Sequence, residues 1–129
     1  MPTPIPARPR WTHTGIPLTK GARYFLTANG EWFDWHISTT ALGYPTRDAP
    51  RSSRWLLALF ERARRIPDAN WFALVCTVGE DESTAFVMRE SPTEWEAPAT
   101  GELCCFANDH PAAYWNNSGH VDLDVTRIA

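Results

Sequence analysis

Residues 120–128 (HVDLDVTRI) contain the clearest strand pattern in the chain. The apolar residues Val121, Leu123 and Val125 alternate with polar ones, which is the period-two pattern of a strand with one buried face. The two aspartates of this strand fall on the water-facing side, so they are not catalytic candidates. The pattern predicts a half-buried strand near the C-terminus.

Shorter strand-like runs precede this one. Residues 71–78 (WFALVCTV) are nearly all apolar, which predicts a central strand buried on both faces. Residues 22–28 end at Asn29-Gly30, a strong hairpin-turn dipeptide, so residues 31–37 are the expected return strand. Further short strands are predicted at residues 84–89 and 103–107.

One segment has a helical pattern. Residues 53–66 (SRWLLALFERARRI) carry apolar residues at three- and four-residue spacing, with Ser52 or Ser53 available as a cap and Pro67 as the end. The arginines at 62, 64 and 65 are expected on a solvated face. Runs of strands with one inserted helix, at about 53–66, predict an all-β fold, an antiparallel β-sandwich.

The composition sets broad limits. The chain of 129 residues is 43% hydrophobic and 21% charged, which fits one folded domain. A net charge of −3 argues against nucleic acid as a partner, and no apolar run approaches the ~20 residues that span a bilayer. Residues 1–10 hold four prolines and are expected to form an extended or loosely ordered arm before a domain of residues 11–129.

The N-terminus and the cysteines bear on the compartment. The proline-rich start has no apolar signal region, so cytoplasmic synthesis is the default, and release by a non-classical route stays open. Cys76, Cys104 and Cys105 are odd in number and two are adjacent, which does not fit a disulfide framework. Buried free thiols in a reduced compartment are expected.

The loop at residues 108–119 (NDHPAAYWNNSG) places one carboxylate, Asp109, near two carboxamides, Asn116 and Asn117. Carboxylate, amide and main-chain oxygens are the ligands that Ca²⁺ takes, and Gly119 would relax the backbone where the loop rejoins a strand. The same residue types are ordinary turn formers, so a plain loop remains the alternative at this point.

This loop and the strand after it resemble the calcium site of the PA-I galactophilic (LecA-like) lectins of bacteria. Residues 11–21, 28–35, 72–79 and 100–103 resemble further family segments in the right order, so the resemblance covers roughly residues 11–129. The resemblance implies a small jelly-roll-like β-sandwich and a calcium-dependent lectin rather than an enzyme. It also implies galactose-type glycans as partners and a homo-oligomer.

The resemblance also implies roles for individual residues. Asp109, Asn116 and Asn117 match the side-chain ligands of calcium, while Trp35 and Ala113 match the ligands that give only a main-chain carbonyl. The bound ion then takes two neighbouring hydroxyls of the sugar, O3 and O4 of galactose. Trp35, Asp109 and Asn116 are therefore predicted to contact both the ion and the sugar.

The chain departs from the family pattern around the sugar. The His and Gln that hold the galactose 6-hydroxyl align with Ala49 and Ser52, and no His or Gln occurs at residues 39–69. His110 stands where the family has a small apolar residue. Replacement contacts are predicted first at His110 and Arg51, and more weakly at three other loop residues: Tyr44, Arg47 and Asp48.

Two other classes of protein compete with the lectin. A hydrolase would need a nucleophile or a zinc-binding pair of histidines, and neither motif is found. A structural or protein-interaction β-sandwich, with a non-lectin calcium loop or a degenerated one, is the other alternative. Metal content after purification, measured with and without a chelator, separates a lectin from a module whose metal loop has degenerated.

Overall fold

Two antiparallel β-sheets build the protein, as the computed structural model of residues 2–129 shows. The ten strands are β1 Thr3–Pro6, β2 Thr12–Leu18, β3 Arg23–Asn29, β4 Trp32–Asp34, β5 Ile37–Thr39, β6 Leu74–Val78, β7 Phe86–Val87, β8 Thr93–Glu96, β9 Gly101–Ala107 and β10 Asn117–Arg127. The larger sheet has the order β5-β4-β10-β3-β8, with β1 also on β10, and the smaller has the order β2-β9-β6-β7. The predicted all-β sandwich is confirmed.

The C-terminal strand β10 organises the larger sheet. It pairs with β1, β3 and β4, and the alternating apolar residues recognised in the sequence place Val121 and Leu123 fully in the core. The predicted half-buried strand is therefore confirmed, and it begins three residues earlier than expected. Ile5 of β1 is also fully buried, so residues 3–6 of the proline-rich segment take the extended form of the two that were expected, as a strand of this sheet.

The predicted hairpin at Asn29-Gly30 is wrong. Asn29 lies opposite Asp122 and Trp32 lies opposite Gly119, so β3 and β4 run along β10 in one register, with Gly30 in a left-handed conformation between them. The dipeptide interrupts a strand without reversing it. The real reversal follows β4, where Trp35 and His36 form a two-residue connection to β5. The expected return strand at 31–37 is therefore split in two.

The smaller sheet contains the predicted central strand. β6 lies between β9 and β7, and all five of its residues are buried. Side chains from both sheets, including Trp32, Phe72 and Leu103, form one hydrophobic core. Cys76 and Cys105 lie within this core, and the three cysteines are free and buried as predicted.

The helix is shorter than predicted and lies on the surface. The helix α1 spans Arg51–Leu59, begins after Pro50 without a side-chain cap, and ends before a 3-10 turn at Glu61–Ala63. None of its nine residues is buried, although Leu57 packs against the core. Further 3-10 turns lie at Thr46–Asp48, Glu82–Thr84 and Tyr114–Asn116. Within residues 2–129, no helix is long and apolar enough to cross a membrane.

The expectation of a solvated arginine face after the helix fails for Arg64 and Arg65. Arg64 is buried, with its guanidinium 5.2 Å from the Trp71 ring centroid. The side chain of Arg65 is 3% exposed, lies 3.4 Å over the Phe106 ring and pairs with Glu82 at 2.7 Å. Its backbone N–H donates to the carbonyl of Asp109 at 3.0 Å, so this arginine fixes the start of the candidate loop.

Candidate functional site

Asn108 anchors the candidate loop to the sandwich and is not free to act as a ligand. Its side-chain amide donates to the carbonyls of Ile66 and Asn70, at 3.0 and 2.9 Å, and its Oδ1 accepts from the Ile66 N–H at 2.9 Å. The residue is fully buried. With every polar atom of this side chain occupied, Asn108 holds the end of β9 against residues 66–73, and the loop after it starts from a fixed point.

Asp109 is a buried carboxylate held from two sides. The residue is 2% exposed. Its Oδ1 accepts from the His110 N–H at 2.7 Å, and its Oδ2 accepts from the Asn117 side-chain amide at 3.1 Å. Burial, followed by the nearby Asp34 carboxylate, raises the pKa of Asp109 to about 7. A cation bound here would stabilise the ionised form of Asp109, which burial and the Asp34 charge disfavour.

Asn116 and Asn117 present oxygens that lack a partner. The Oδ1 atoms of both are buried and find no hydrogen-bond partner among the described residues. The orientation of Asn117 is fixed because its Nδ2 donates both to Asp109 and to the Ala7 carbonyl, at 3.1 and 3.2 Å. Two unpaired amide oxygens beside a carboxylate form an oxygen donor set of the kind that suits Ca²⁺.

Backbone hydrogen bonds connect Trp35 and Ala113, the two predicted main-chain ligands, to the candidate loop. Trp35 has a φ of 54°, a left-handed conformation that is unusual for a bulky residue, and its N–H donates to the Asn116 carbonyl at 3.2 Å. That bond ties the turn between β4 and β5 to the Asn116-Asn117 pair. Ala113 precedes the 3-10 turn at Tyr114–Asn116, and its N–H donates to the carbonyl of His110 at 2.9 Å. The five residues predicted as metal ligands therefore belong to two connected segments.

Asp34 is a residue of this site that sequence reasoning missed. It is the last residue of β4, and the Tyr44 hydroxyl donates to its Oδ2 at 2.9 Å. Burial raises the pKa of Asp34, and burial with the nearby Asp34 charge raises the pKa of Tyr44. Its position next to Trp35, a predicted ligand, was the signal that could have identified it. The site has two carboxylates where the sequence analysis expected one.

These groups line one pocket of about 380 Å³. Its polar side is formed by Asp34, Asp109, His110 and Asn116, with Trp35 and Ala113 beside them. The apolar part of the lining comes from α1 and from other elements, chiefly Ile37, Leu56, Leu57, Phe60, Trp71 and Trp115. Asn117 lies outside the lining and supports Asp109 from the buried side. The pocket thus joins an oxygen-rich end to an apolar wall.

The predicted rim contacts divide into two groups. His110 lines the pocket, with its ring edge-on to Phe60 and its Nδ1 accepting from the Ala112 N–H at 3.0 Å. The neutral ring therefore carries its proton on Nε2, which leaves a donor for a ligand. Arg51 begins α1 and is exposed, and the described lining does not include it. Trp115, which is 72% exposed, also lines the pocket.

The other predicted sugar contacts do not line the pocket. Tyr44 is buried and bonded to Asp34, while Arg47 and Asp48 are exposed in the 3-10 turn at Thr46–Asp48. Ala49, aligned with the family's sugar-contacting His, is buried. Ser53 is the serine of α1 that lines the pocket, rather than the aligned Ser52.

Comparison with known proteins adds to this picture. No family model matches the chain, and no curated protein matches it. Eight chains among the solved structures match the fold. One of them is the N-terminal domain of EclA, described as a PllA-like lectin, with a TM-score of 0.70 and 20% sequence identity. The match covers 98% of this chain and 95% of that one.

The fold is thus that of the PllA-like lectins, over nearly the whole chain. The expectation of a LecA-like sandwich is confirmed at the level of the fold. At 20% identity the match does not carry binding residues with it, so the function of the site depends on the chemistry of its own side chains.

Proposed function

We propose that this protein is a calcium-dependent, carbohydrate-binding lectin for galactose-type sugars, and not an enzyme. The observation that carries the proposal is a set of buried oxygens around Asp109. Oδ1 of Asn116, in the same pocket lining as Asp109, has no partner, and neither has Oδ1 of Asn117, whose amide nitrogen donates to the Asp109 carboxylate. The fold of a lectin supports it.

Calcium fits this donor set better than other common cations. The side chains of Asp109, Asn116 and Asn117 and the carbonyls of Trp35 and Ala113 would hold the ion, and all are oxygen ligands. Ca²⁺ accepts about 6–8 such oxygens in irregular geometry, whereas Mg²⁺ demands a tight octahedron and keeps its waters. Asp34 adds a second negative charge, so the two carboxylates balance a divalent cation.

A sugar would complete the coordination. Two neighbouring hydroxyls, such as O3 and O4 of galactose, replace two waters while their protons are donated to Asp109 and Asn116. Hydrogen bonds to an ionised carboxylate are stronger than neutral ones. The Nε2–H of His110 supplies one more donor at the same side of the pocket. This chemistry selects a vicinal diol of fixed orientation.

The apolar wall extends the proposal to the group attached to the sugar. Leu56, Leu57 and Phe60 of the α1 region line the same pocket as the oxygen donors. Apolar and aromatic walls bind the hydrophobic parts of ligands, while a few polar groups fix their orientation. The preferred ligands are therefore galactosides whose aglycone, or next residue, presents an apolar face to α1.

The 6-hydroxyl of galactose lacks the partners that the family resemblance implies. Ala49 is buried and cannot donate through its side chain, and Ser52 is exposed outside the described lining. One hydrogen bond is worth on the order of 1 kcal/mol, so two missing bonds weaken binding roughly tenfold or more. Galactose and 6-deoxygalactose should consequently bind with similar affinity. A large preference for galactose would show that another group, such as His110, holds this hydroxyl.

A glycan array tests the proposal. The chain is applied in calcium buffer and in EDTA, with the Asp109→Asn variant as a metal-site control. Binding of galactose-terminated glycans that disappears in both controls supports the lectin. Calcium binding without any glycan binding would contradict it and favour a protein-interaction module.

A hydrolase is the second candidate, because the half-buried Asp34 and the buried Asp109 place two carboxylates of raised pKa at one pocket. Paired carboxylates with raised pKa are also the groups that cleave glycosidic bonds. Turnover of chromogenic galactosides separates the two functions. The lectin proposal expects none, in calcium or in EDTA, whereas turnover lost in Asp34→Asn or Asp109→Asn would establish the hydrolase.

A further inference from the structure

A second cluster of chemically active side chains lies on the smaller sheet, outside the pocket. His13 of β2 and Cys104 of β9 are direct cross-strand partners. Glu102 lies two residues before Cys104 on β9, so all three side chains project from one face of the sheet. Cys105 points the other way, into the core. The register thus brings a nitrogen, a sulfur and an oxygen donor together.

The donor atoms have the spacing of a metal site. One donor atom each from His13, Glu102 and Cys104 lies within 4.8 Å of the others. The Sγ of Cys104 is 3.5 Å from Nδ1 of His13, and Oε1 of Glu102 is 2.9 Å from the same nitrogen. Ligand atoms around tetrahedral Zn²⁺, with bonds of about 2.0–2.3 Å, lie roughly 3.3–3.8 Å apart. Only a small movement of Glu102 is needed to open the cluster to an ion.

The surroundings orient the donors. Oε2 of Glu80 lies 2.6 Å from Nε2 of His13, so this carboxylate can hold the proton on Nε2 and leave Nδ1 free for a metal. Metal-binding histidines usually have such a carboxylate at the other nitrogen. The N–H of Gly15 donates to Oε2 of Glu102 at 2.8 Å, which directs Oε1 towards His13. Without a metal, hydrogen bonds to Glu102 and Glu80 raise the pKa of His13.

We propose that His13, Glu102 and Cys104 form a binding site for Zn²⁺ or a similar transition-metal ion, with Glu80 as a positioning residue and water as the fourth ligand. Sulfur and imidazole donors favour zinc and not calcium, which takes oxygen ligands. Cys104 is buried while the His13 side chain is 51% exposed, so an ion would enter from the side of the histidine. The site is independent of the proposed calcium site, since its residues lie outside the pocket lining.

Titration of the full, tag-free chain with Zn²⁺ tests this inference, under reducing conditions and with calcium in excess. One Zn²⁺ should bind per chain, and binding should be lost in Cys104→Ser and in His13→Gln. The Glu80→Gln variant should bind about 10–100-fold more weakly, while its thermal stability without metal changes little. His120→Gln is the matched control, since this exposed histidine also pairs with a carboxylate, Asp122, and it should bind zinc as the wild type does.

Cobalt provides the decisive readout. Co²⁺ bound at this site should show a sulfur-to-cobalt charge-transfer band and the intense visible bands of a tetrahedral ion, and Cys104→Ser should abolish both. The Asp109→Asn variant should keep both signals, which distinguishes this site from the calcium site. Binding without a thiolate band, or binding that survives His13→Gln, would overturn the proposal and leave the cluster as a hydrogen-bonded ion group.

Discussion

The side-chain amide of Asn117 donates to Oδ2 of Asp109 at 3.1 Å, and this contact fixes the orientation of that amide. The same amide donates to the carbonyl of Ala7, just beyond β1. The N-terminal segment, the C-terminal strand and the candidate loop are therefore linked through one residue. The orientation of Asn117 leaves its Oδ1 buried without a partner among residues 2–129, which is the arrangement that a bound cation would satisfy.

Replacement of Asp109 by Asn should abolish calcium binding and sugar binding together. The change keeps the size of the side chain but removes a negative charge at the centre of the donor set. Isothermal titration with Ca²⁺ and with a galactoside measures both losses. Asp124→Asn, on β10 and outside the pocket lining, is the control and should leave both unchanged. Calcium affinity that survives in Asp109→Asn would place the ion elsewhere.

Substitutions at the two main-chain ligands should have little effect on calcium. Ala113→Thr retains the carbonyl that the proposal uses, and Trp35→Asn retains the carbonyl in a residue that tolerates the left-handed conformation. We expect calcium affinity within a few-fold of the wild type for both variants, measured by the same titration. If Ala113→Thr were as damaging as Asp109→Asn, a main-chain role for residue 113 would be wrong.

Removal of the second carboxylate should weaken the site without destroying it. Asp34→Asn keeps an oxygen for the Tyr44 hydroxyl but takes away one charge, and the charge count of the ligands tunes calcium affinity. We expect the calcium dissociation constant to rise by roughly tenfold. Tyr44→Phe, which keeps the charge and removes the hydrogen bond, should have the smaller effect. An unchanged affinity in Asp34→Asn would exclude Asp34 from the electrostatics of the site.

Calcium affinity should fall in acid at a higher pH than is usual for carboxylate sites. The pKa of Asp109 in the metal-free protein is about 7, and calcium binds the deprotonated form. Below pH 7, each unit of pH should weaken binding by about tenfold, which titration between pH 5.5 and 8 would detect. Equal affinity at both ends of that range would contradict the raised pKa.

The same raised pKa determines how stability depends on pH without calcium. A carboxyl whose pKa is raised by folding stabilises the protein below its ordinary pKa near 4, and this contribution is lost as the pH rises through about 7. In EDTA, the melting temperature should therefore fall between about pH 4 and 7 more steeply in the wild type than in Asp109→Asn.

The strands could be predicted from local patterns, but their pairing could not. The alternation of Val121, Leu123 and Val125 and the apolar run of β6 are properties of neighbouring residues, and both strands were found. The Asn29-Gly30 turn was misjudged because β10, about ninety residues later in the chain, pairs with β3 and β4 in one register. The local sequence of β3 and β4 does not show that both strands pair with a segment so far along the chain.

The candidate site was predicted only in part from the sequence. The donors on the loop, Asp109, Asn116 and Asn117, are close in sequence and were recognised through the family resemblance. Asp34 lies near these donors because β4 pairs with β10, where Asp34 is opposite Asn117, and the local sequence does not show that pairing. The burial of Arg65 against Phe106 is a result of tertiary packing, which the cluster of arginines in the sequence does not indicate. The ends of α1 were misplaced, since most of its apolar residues face a pocket or solvent and Leu57 packs against the core.

The most direct test of the account is the titration of a methyl galactoside into the chain in calcium, in magnesium and after chelation. The proposed lectin should bind the galactoside in calcium, with weak affinity because the 6-hydroxyl lacks its partners, and should show no binding in magnesium or EDTA. Binding of equal strength in calcium and in EDTA, or no binding to a chain that holds calcium, would contradict the central claim that the ion at Asp109, Asn116 and Asn117 recognises the sugar.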